Sequence, residues 1–156
     1  MQITTYQAQG RVAVTVLKPH GDLDAKTYQE LIAAAKGAWN GGARDMVLDL
    51  GDVHYLSSSG LVAIHTIARL LHGQELPDLE AGWSAIHAME HEAGNAHPHL
   101  KLLSPQPPVD KVLTMTGFRQ MFDVHADLGA AVAAFSGLFW VGGEILRFAQ
   151  NDKCWT

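Results

Sequence analysis

The sequence predicts an α/β fold, a single domain with a mostly parallel sheet and helical crossovers. Three observations carry that expectation. Short apolar runs alternate along the chain with segments of helical period, the signature of strand–helix–strand units. A chain of 156 residues, 47% of them hydrophobic, is of single-domain size and buries a core without staples. Its only cysteine, Cys154, excludes an internal disulfide.

The elements follow in order. "RVAVTVLKPHG" alternates Val12, Val14 and Val16 with smaller or polar residues and stops at Pro19 and Gly21, predicting a strand with one buried face. "ITTYQAQ" before it is placed to pair with it through a turn at Gly10. In "GDLDAKTYQELIAAAKGAW" Tyr28, Leu31, Ile32 and Ala35 follow helical spacing. Asp24 is the expected N-cap, and Gly37 or the "NGG" at 40–42 the stop. "RDMVLDL" is nearly continuous in apolar residues, as a strand buried on both faces requires. "SGLVAIHTIARLLHG" carries the stripe Leu61, Ile64, Ile67, Ala68 and Leu71 of a second helix. "HLKLLS" predicts a strand, "PQPPVDKVLTMTGF" a Pro-opened helix closing at Gly117, "MFDV" a last strand and "ADLGAAVAAF" a last helix.

Two segments interrupt this rhythm. Between Arg69 and Lys101 there is no Lys or Arg but five acids, Glu75, Asp78, Glu80, Glu90 and Glu92. The remainder has 11 acids against 11 bases, so the whole net charge of −5 resides there. Five of the nine histidines, His72, His87, His91, His97 and His99, cluster there as well. Residues 73–98 are therefore expected to form an acidic, His-rich insert, with a helix capped by Asp78 burying Leu79, Trp83, Ile86 and Met89. The second is the aromatic "GLFWVGGEILRFAQNDKCWT", expected as a C-terminal extension, 137–156, beyond a domain of residues 1–136. An exposed aromatic tail is a liability, so a homodimer contact through it is one expectation.

The negative charge argues against a nucleic-acid surface. No apolar stretch approaches the roughly 20 residues of a membrane span, no secretion signal is visible, and the cysteine usage fits a reducing cytoplasm.

The chemistry concentrates in "HYLSSSGLVAI", where Ser57, Ser58 and Ser59 stand between a strand exit and a helix start. A serine at that junction caps the helix, Ser57 or Ser58 accepting from an orphan N–H. The same helix end favours a phosphate, because its donors and dipole attract an anion.

Taken together, "GDLDAKTYQELIAAA", "ARDMVLDLGDVHYLSSSGLVAI" and "LKLLSPQPPVDKVLTMTGFRQMFDVHADLGAAVAAF" resemble STAS domains of the anti-sigma-factor antagonist type, over roughly residues 3–72 and 99–136. The resemblance implies a mixed sheet flanked by helices and a regulatory, non-enzymatic role without cofactor or metal. It implies a partner, an anti-sigma factor that is an ATP-dependent serine kinase, which the unmodified antagonist binds and from which phosphorylation releases it. The family's usual Asp-Ser-Ser/Thr-Gly-Leu, aligned on Gly60 and Leu61, puts the phosphoacceptor at Ser58 and replaces the aspartate by Ser57. The acid of the family's Gly-x-Leu-Asp falls on Asp24. Ser57, Ser59, Gly60 and Leu61 complete the implied phosphosite and partner surface. STAS domains without the switch serve as scaffolds and in transport systems.

Two enzymatic readings compete. Ser58 and Gly60 fit the second half of the hydrolase elbow Gly-x-Ser-x-Gly, but Leu56 replaces its first glycine. "HAMEH", residues 87–91, fits a zinc-peptidase pattern with His87 and His91 on one helical face, Glu90 as base and Glu144 as a third ligand. Nine histidines produce such a spacing often by chance, and a solvated acidic helix face is the reading preferred over a zinc site.

Overall fold

Parallel pairing of buried strands dominates the sheet. The computed structural model describes residues 1–72 and 99–135, and the backbone of 138–141 and 144–147. Five strands, β1 (Gln2–Gln9), β2 (Ala13–His20), β3 (Met46–Asp49), β4 (Leu100–Leu103) and β5 (Asp123–His125), lie in that order. β1 runs antiparallel to β2, and β2 to β5 are mutually parallel, so the sheet is mixed. The crossovers are helical: α1 (Tyr28–Asn40), α2 (Ser58–Leu71), then α3 (Pro107–Thr116) with the single turn α4 (Phe118–Met121), and α5 (Leu128–Ala133) follows β5. Strands β6 (Leu138–Val141) and β7 (Glu144–Arg147) pair antiparallel as a separate hairpin. The expected helix of the insert, with Asp78, His87, Glu90 and His91, lies outside the described residues.

Alternation along the strands divides the core between the two sheet faces. Leu17, Met46, Leu48, Leu100 and Leu102 join Leu31, Ile32, Ile64, Ile67, Val109, Leu113 and Phe118 from the helices in one cluster. Val14, Val16, Val47 and Leu103 meet Ala131, Val132 and Phe135 of the α5 region in the other. Each such aliphatic side chain stabilises the fold by about 1.5–3 kcal/mol through its removal from water.

Several expectations shift in detail. β2 is buried on both faces, because Leu17 is covered on the α1 side while Val14 and Val16 are covered on the α5 side. The strand also runs through Pro19 to His20. "MFDV" divides: Met121 closes the turn α4, and only Asp123–His125 form the strand. α2 is buried nearly all round from Gly60 to Ala68, including His65 and Thr66, well beyond its apolar stripe. The Pro-opened helix closes as expected at Gly117, whose φ of 83° is left-handed and open to glycine without strain. Among the described residues no helix is long and apolar enough to cross a membrane.

Two polar pairs link the parallel strands, the first buried and the second reaching an exposed carboxylate. Asp45 accepts a hydrogen bond at 2.8 Å from His99 across the entries to β3 and β4, with both residues buried. Lys101, buried beneath α5, donates to Asp123 at 2.7 Å and lies 5.0 Å from the centre of the Phe135 ring. Replacing Asp45 with alanine leaves His99 buried without this acceptor. That variant is expected to lose about 1–3 kcal/mol of unfolding free energy, read from urea denaturation, and an unchanged midpoint would show that the pair adds nothing.

Candidate functional site

The site is built where the loops after β2 and β3 meet at the C-terminal end of the parallel strands, the usual ligand and partner edge of such a sheet. Beyond β2 the chain turns at Gly21, whose N–H donates to the Asp52 carbonyl at 3.0 Å. The Leu23 N–H donates to the Tyr55 carbonyl and the Ser57 N–H to the Leu23 carbonyl, both at 2.9 Å. These two bonds form a parallel bridge between Leu23 and Leu56, prolonging the ladder past the strands. Both side chains are buried, so the bridge rests on the core.

α2 starts directly on this bridge. A Cβ on Gly60 would stand 2.4 Å from Leu56 Cδ1, 2.9 Å from the Leu23 carbonyl oxygen and 3.1 Å from Leu23 Cβ. Only a glycine lets the helix descend this far onto the loop. Ser57, extended at φ −91° and ψ 176°, is the N-cap, and its Oγ accepts from the Gly60 N–H at 3.3 Å.

The three serines are thereby separated. Ser58 is exposed at the first helical position, while Ser57 and Ser59 are half-buried beside it. Gly60 and Leu61 are buried. They support the start of the helix from beneath. Asp24 is half-buried on the facing loop, but it is not the N-cap of α1, which is Thr27. Its Oδ1 accepts from the Lys26 N–H at 2.9 Å and from the Thr27 hydroxyl at 3.2 Å. Its carbonyl accepts from the N–H groups of Thr27 and Tyr28. Asp24 thus folds a turn that precedes the helix, because the chain must first leave the Leu23 bridge.

Three participants carried no signal in the sequence. Tyr55 is about half exposed, and its carbonyl holds the Leu23 N–H. Gln106 donates at 2.7 Å to the Gly51 carbonyl, tying the β4–α3 loop to the β3–α2 loop. Asp52 pairs with His20 Nδ1, whose Nε2 lies 2.8 Å from the Thr4 hydroxyl. The hydrogen bond to His20, with smaller contributions from the nearby charges of His20, His54 and Lys18, holds the Asp52 carboxyl below its ordinary value of 3.8. Neighbours 32 and 55 residues away in the chain leave no local pattern to read.

No side-chain hydrogen bond among the described residues joins Ser58 to a histidine, and no group of three or more His, Cys, Asp or Glu is placed there to hold a metal ion. The zinc pattern itself, His87, Glu90 and His91, lies outside the described residues, as does the side chain of Glu144.

The comparisons bear on this geometry. The family model of the STAS domain matches residues 5–76, the stretch from β1 to just beyond α2 that builds the site. The matched stretch, a little under half of the chain, is similar to a STAS domain. No curated protein matches the sequence. The fold is similar to a candidate anti-sigma factor antagonist from Thermotoga maritima, at 18% identity and a TM-score of 0.60, over 85% of this chain and 93% of that one. It is also similar to an anti-sigma factor antagonist from Mycobacterium paratuberculosis, at 20% identity and 0.55, over 86% and 94%. A third likeness is to the Bacillus cell fate determinant SpoIIAA in its phosphorylated form, at 17% identity and 0.53, over 84% and 96%. At these identities the likeness is one of fold.

Two outcomes follow from the geometry. Gly60→Ala gains helix propensity but drives a methyl group into the Leu23 backbone, and a net loss of about 1–3 kcal/mol is expected in urea unfolding, with Ser59→Ala near neutral. Because the Asp52 carboxyl is lowered in the folded state, its contribution is present above the unfolded value of 3.8 and disappears as pH falls through the folded value. The stability gap between the wild type and Asp52→Asn should therefore close on acidification from about pH 5 to about pH 2, as read by chemical denaturation.

Proposed function

We propose that this protein is an anti-sigma factor antagonist, a cytoplasmic binding module without chemistry of its own. In this reading it binds an anti-sigma factor through the surface around the start of α2. That partner acts as an ATP-dependent serine kinase, and phosphorylation of Ser58 releases it. The observation that carries the proposal is the exposure of Ser58 on the first turn of a helix clamped to the Leu23–Leu56 bridge. A platform fixed by backbone hydrogen bonds presents a small neutral hydroxyl to an incoming surface.

The switch is local in physical terms. A neutral serine is readily covered by a partner, whereas phosphorylation adds roughly −1.5 to −2 charges that resist desolvation unless an arginine receives them. Asp22, Asp24 and Asp52 occupy the two loops that form the site, so a phosphate would add to charge of its own sign. No rearrangement of the sheet is required, since the helix start is already fixed by backbone hydrogen bonds.

A second reading, a STAS scaffold without a phosphorylation cycle, is favoured by one observation. Ser57 occupies the position of the family's aspartate and is committed to capping, which leaves no carboxylate next to Ser58 on its own turn.

Calorimetric titration of the chain with a purified anti-sigma factor kinase from the same cell tests the proposal. Ser58→Ala should bind within about twofold of the wild type and Ser58→Asp at least about tenfold more weakly, a difference of about 1.4 kcal/mol. Equal affinities for the two variants would refute the switch. Binding with no phosphate on Ser57, Ser58 or Ser59 after incubation with ATP would establish the scaffold reading.

A further inference from the structure

The outer edge of β1 is an unblunted pairing surface. β1 has eight residues and a neighbour on one side only, among the described residues. Natural edges are protected by charges, prolines, bulges or short length. From Gln2 to Gln9 there is no charged residue, proline or glycine, and the eight residues pair with β2 in unbroken register. Six of the eight, including Thr4, Thr5, Tyr6 and Gln7, are exposed.

The direction of each backbone group follows from the strand on the far side of β2. The Thr15 N–H is used on the Asp45 carbonyl at the entry to β3, at 3.0 Å. Odd residues of β2 therefore face β3, and even residues face β1. Pro19, which has no N–H to give, falls in the odd set and costs the β1 ladder nothing. The partners of Val14, Val16 and Lys18 are Ala8, Tyr6 and Thr4, so these point inward. Ile3, Thr5, Gln7 and Gln9 direct their N–H and carbonyl groups away from the sheet.

We propose that β1 pairs antiparallel with β1 of a second copy, about a two-fold axis at Tyr6, joining two five-stranded sheets into one. Side chains of paired residues must share a face, so the axis passes through a residue and not between two. An axis at Tyr6 pairs Thr5 with Gln7 and Ile3 with Gln9 of the other copy and forms about eight backbone hydrogen bonds; an axis at Thr5 forms about six. It also sets the Tyr6 ring, one of three exposed large hydrophobic side chains among the described residues, against its own copy in the close, non-hydrogen-bonded pair. Charge permits the contact. The excess of −5 comes entirely from residues between Arg69 and Lys101, and the two edges that meet are uncharged.

Sedimentation equilibrium of the full chain from about 10 µM to about 1 mM tests this. A monomer–dimer equilibrium is expected. Thr5→Pro, which removes an outward donor, and Tyr6→Lys, which opposes two cations, should each raise the dimer dissociation constant at least about tenfold with an unchanged circular dichroism spectrum. Tyr6→Lys alters an exposed side chain only, so it decides the matter if Thr5→Pro fails to fold. In a Cys154→Ser background, Tyr6→Cys should oxidise to a covalent dimer, the Cα atoms of such a pair being about 4.5 Å apart, while Gln7→Cys should not. A wild type that is monomeric throughout overturns the proposal. So does a dimer indifferent to Tyr6→Lys, including one that is lost only when residues 138–156 are removed, or equal cross-linking at positions 6 and 7.

Discussion

The contact on which the site depends is the backbone bridge between Leu23 and Leu56, with α2 resting on it through the missing side chain of Gly60. Two hydrogen bonds at 2.9 Å join loops that would otherwise be independent of each other. The two leucines beneath make the bridge part of the core, so moving the loops apart would expose apolar surface as well as break polar contacts. Rigidity at the helix start is thus a consequence of packing. The exposed Ser58 inherits its position from the buried Leu56 and Gly60, two residues away on either side.

The rest of the sheet feeds this edge. Parallel strands deliver the loops after β2, β3 and β4 to one end, and Gln106 fastens the third loop to the second. The pairs Asp45–His99 and Lys101–Asp123 sit at the strand entries and on the α5 face, where they satisfy polar groups that burial would otherwise penalise. The lateral edge is different in kind. β1 is antiparallel, polar and exposed, and its unused hydrogen-bonding groups face outward, away from the loops that carry the serines.

Much of the fold was legible because it follows from side-chain period. The strand "RDMVLDL", the helix beginning at the serines, and the Pro-to-Gly helix ending at Gly117 appear as read, and "RVAVTVLKPHG" is a strand that runs past its expected stop at Pro19. The errors lie at junctions. Asp24 has the composition of a helix cap, but its loop is committed first to the Leu23 bridge, and Thr27 takes the capping position instead. Tyr28, half-buried, begins α1 where the helical spacing begins. One sheet face was assigned to β2 when both are covered, because period shows which residues alternate and not how many layers enclose them.

The sequence by itself determined the strand and helix order of the α/β domain, a serine cap at the start of α2 and the location of the charge between Arg69 and Lys101. These are local properties, set by neighbours within a few positions. Only the tertiary structure decided which serine faces solvent, why position 60 excludes a side chain, that Asp52 belongs with His20, and which groups of β1 point outward. Each of those depends on a partner from another strand or loop, and pairing between distant segments leaves no period in either one.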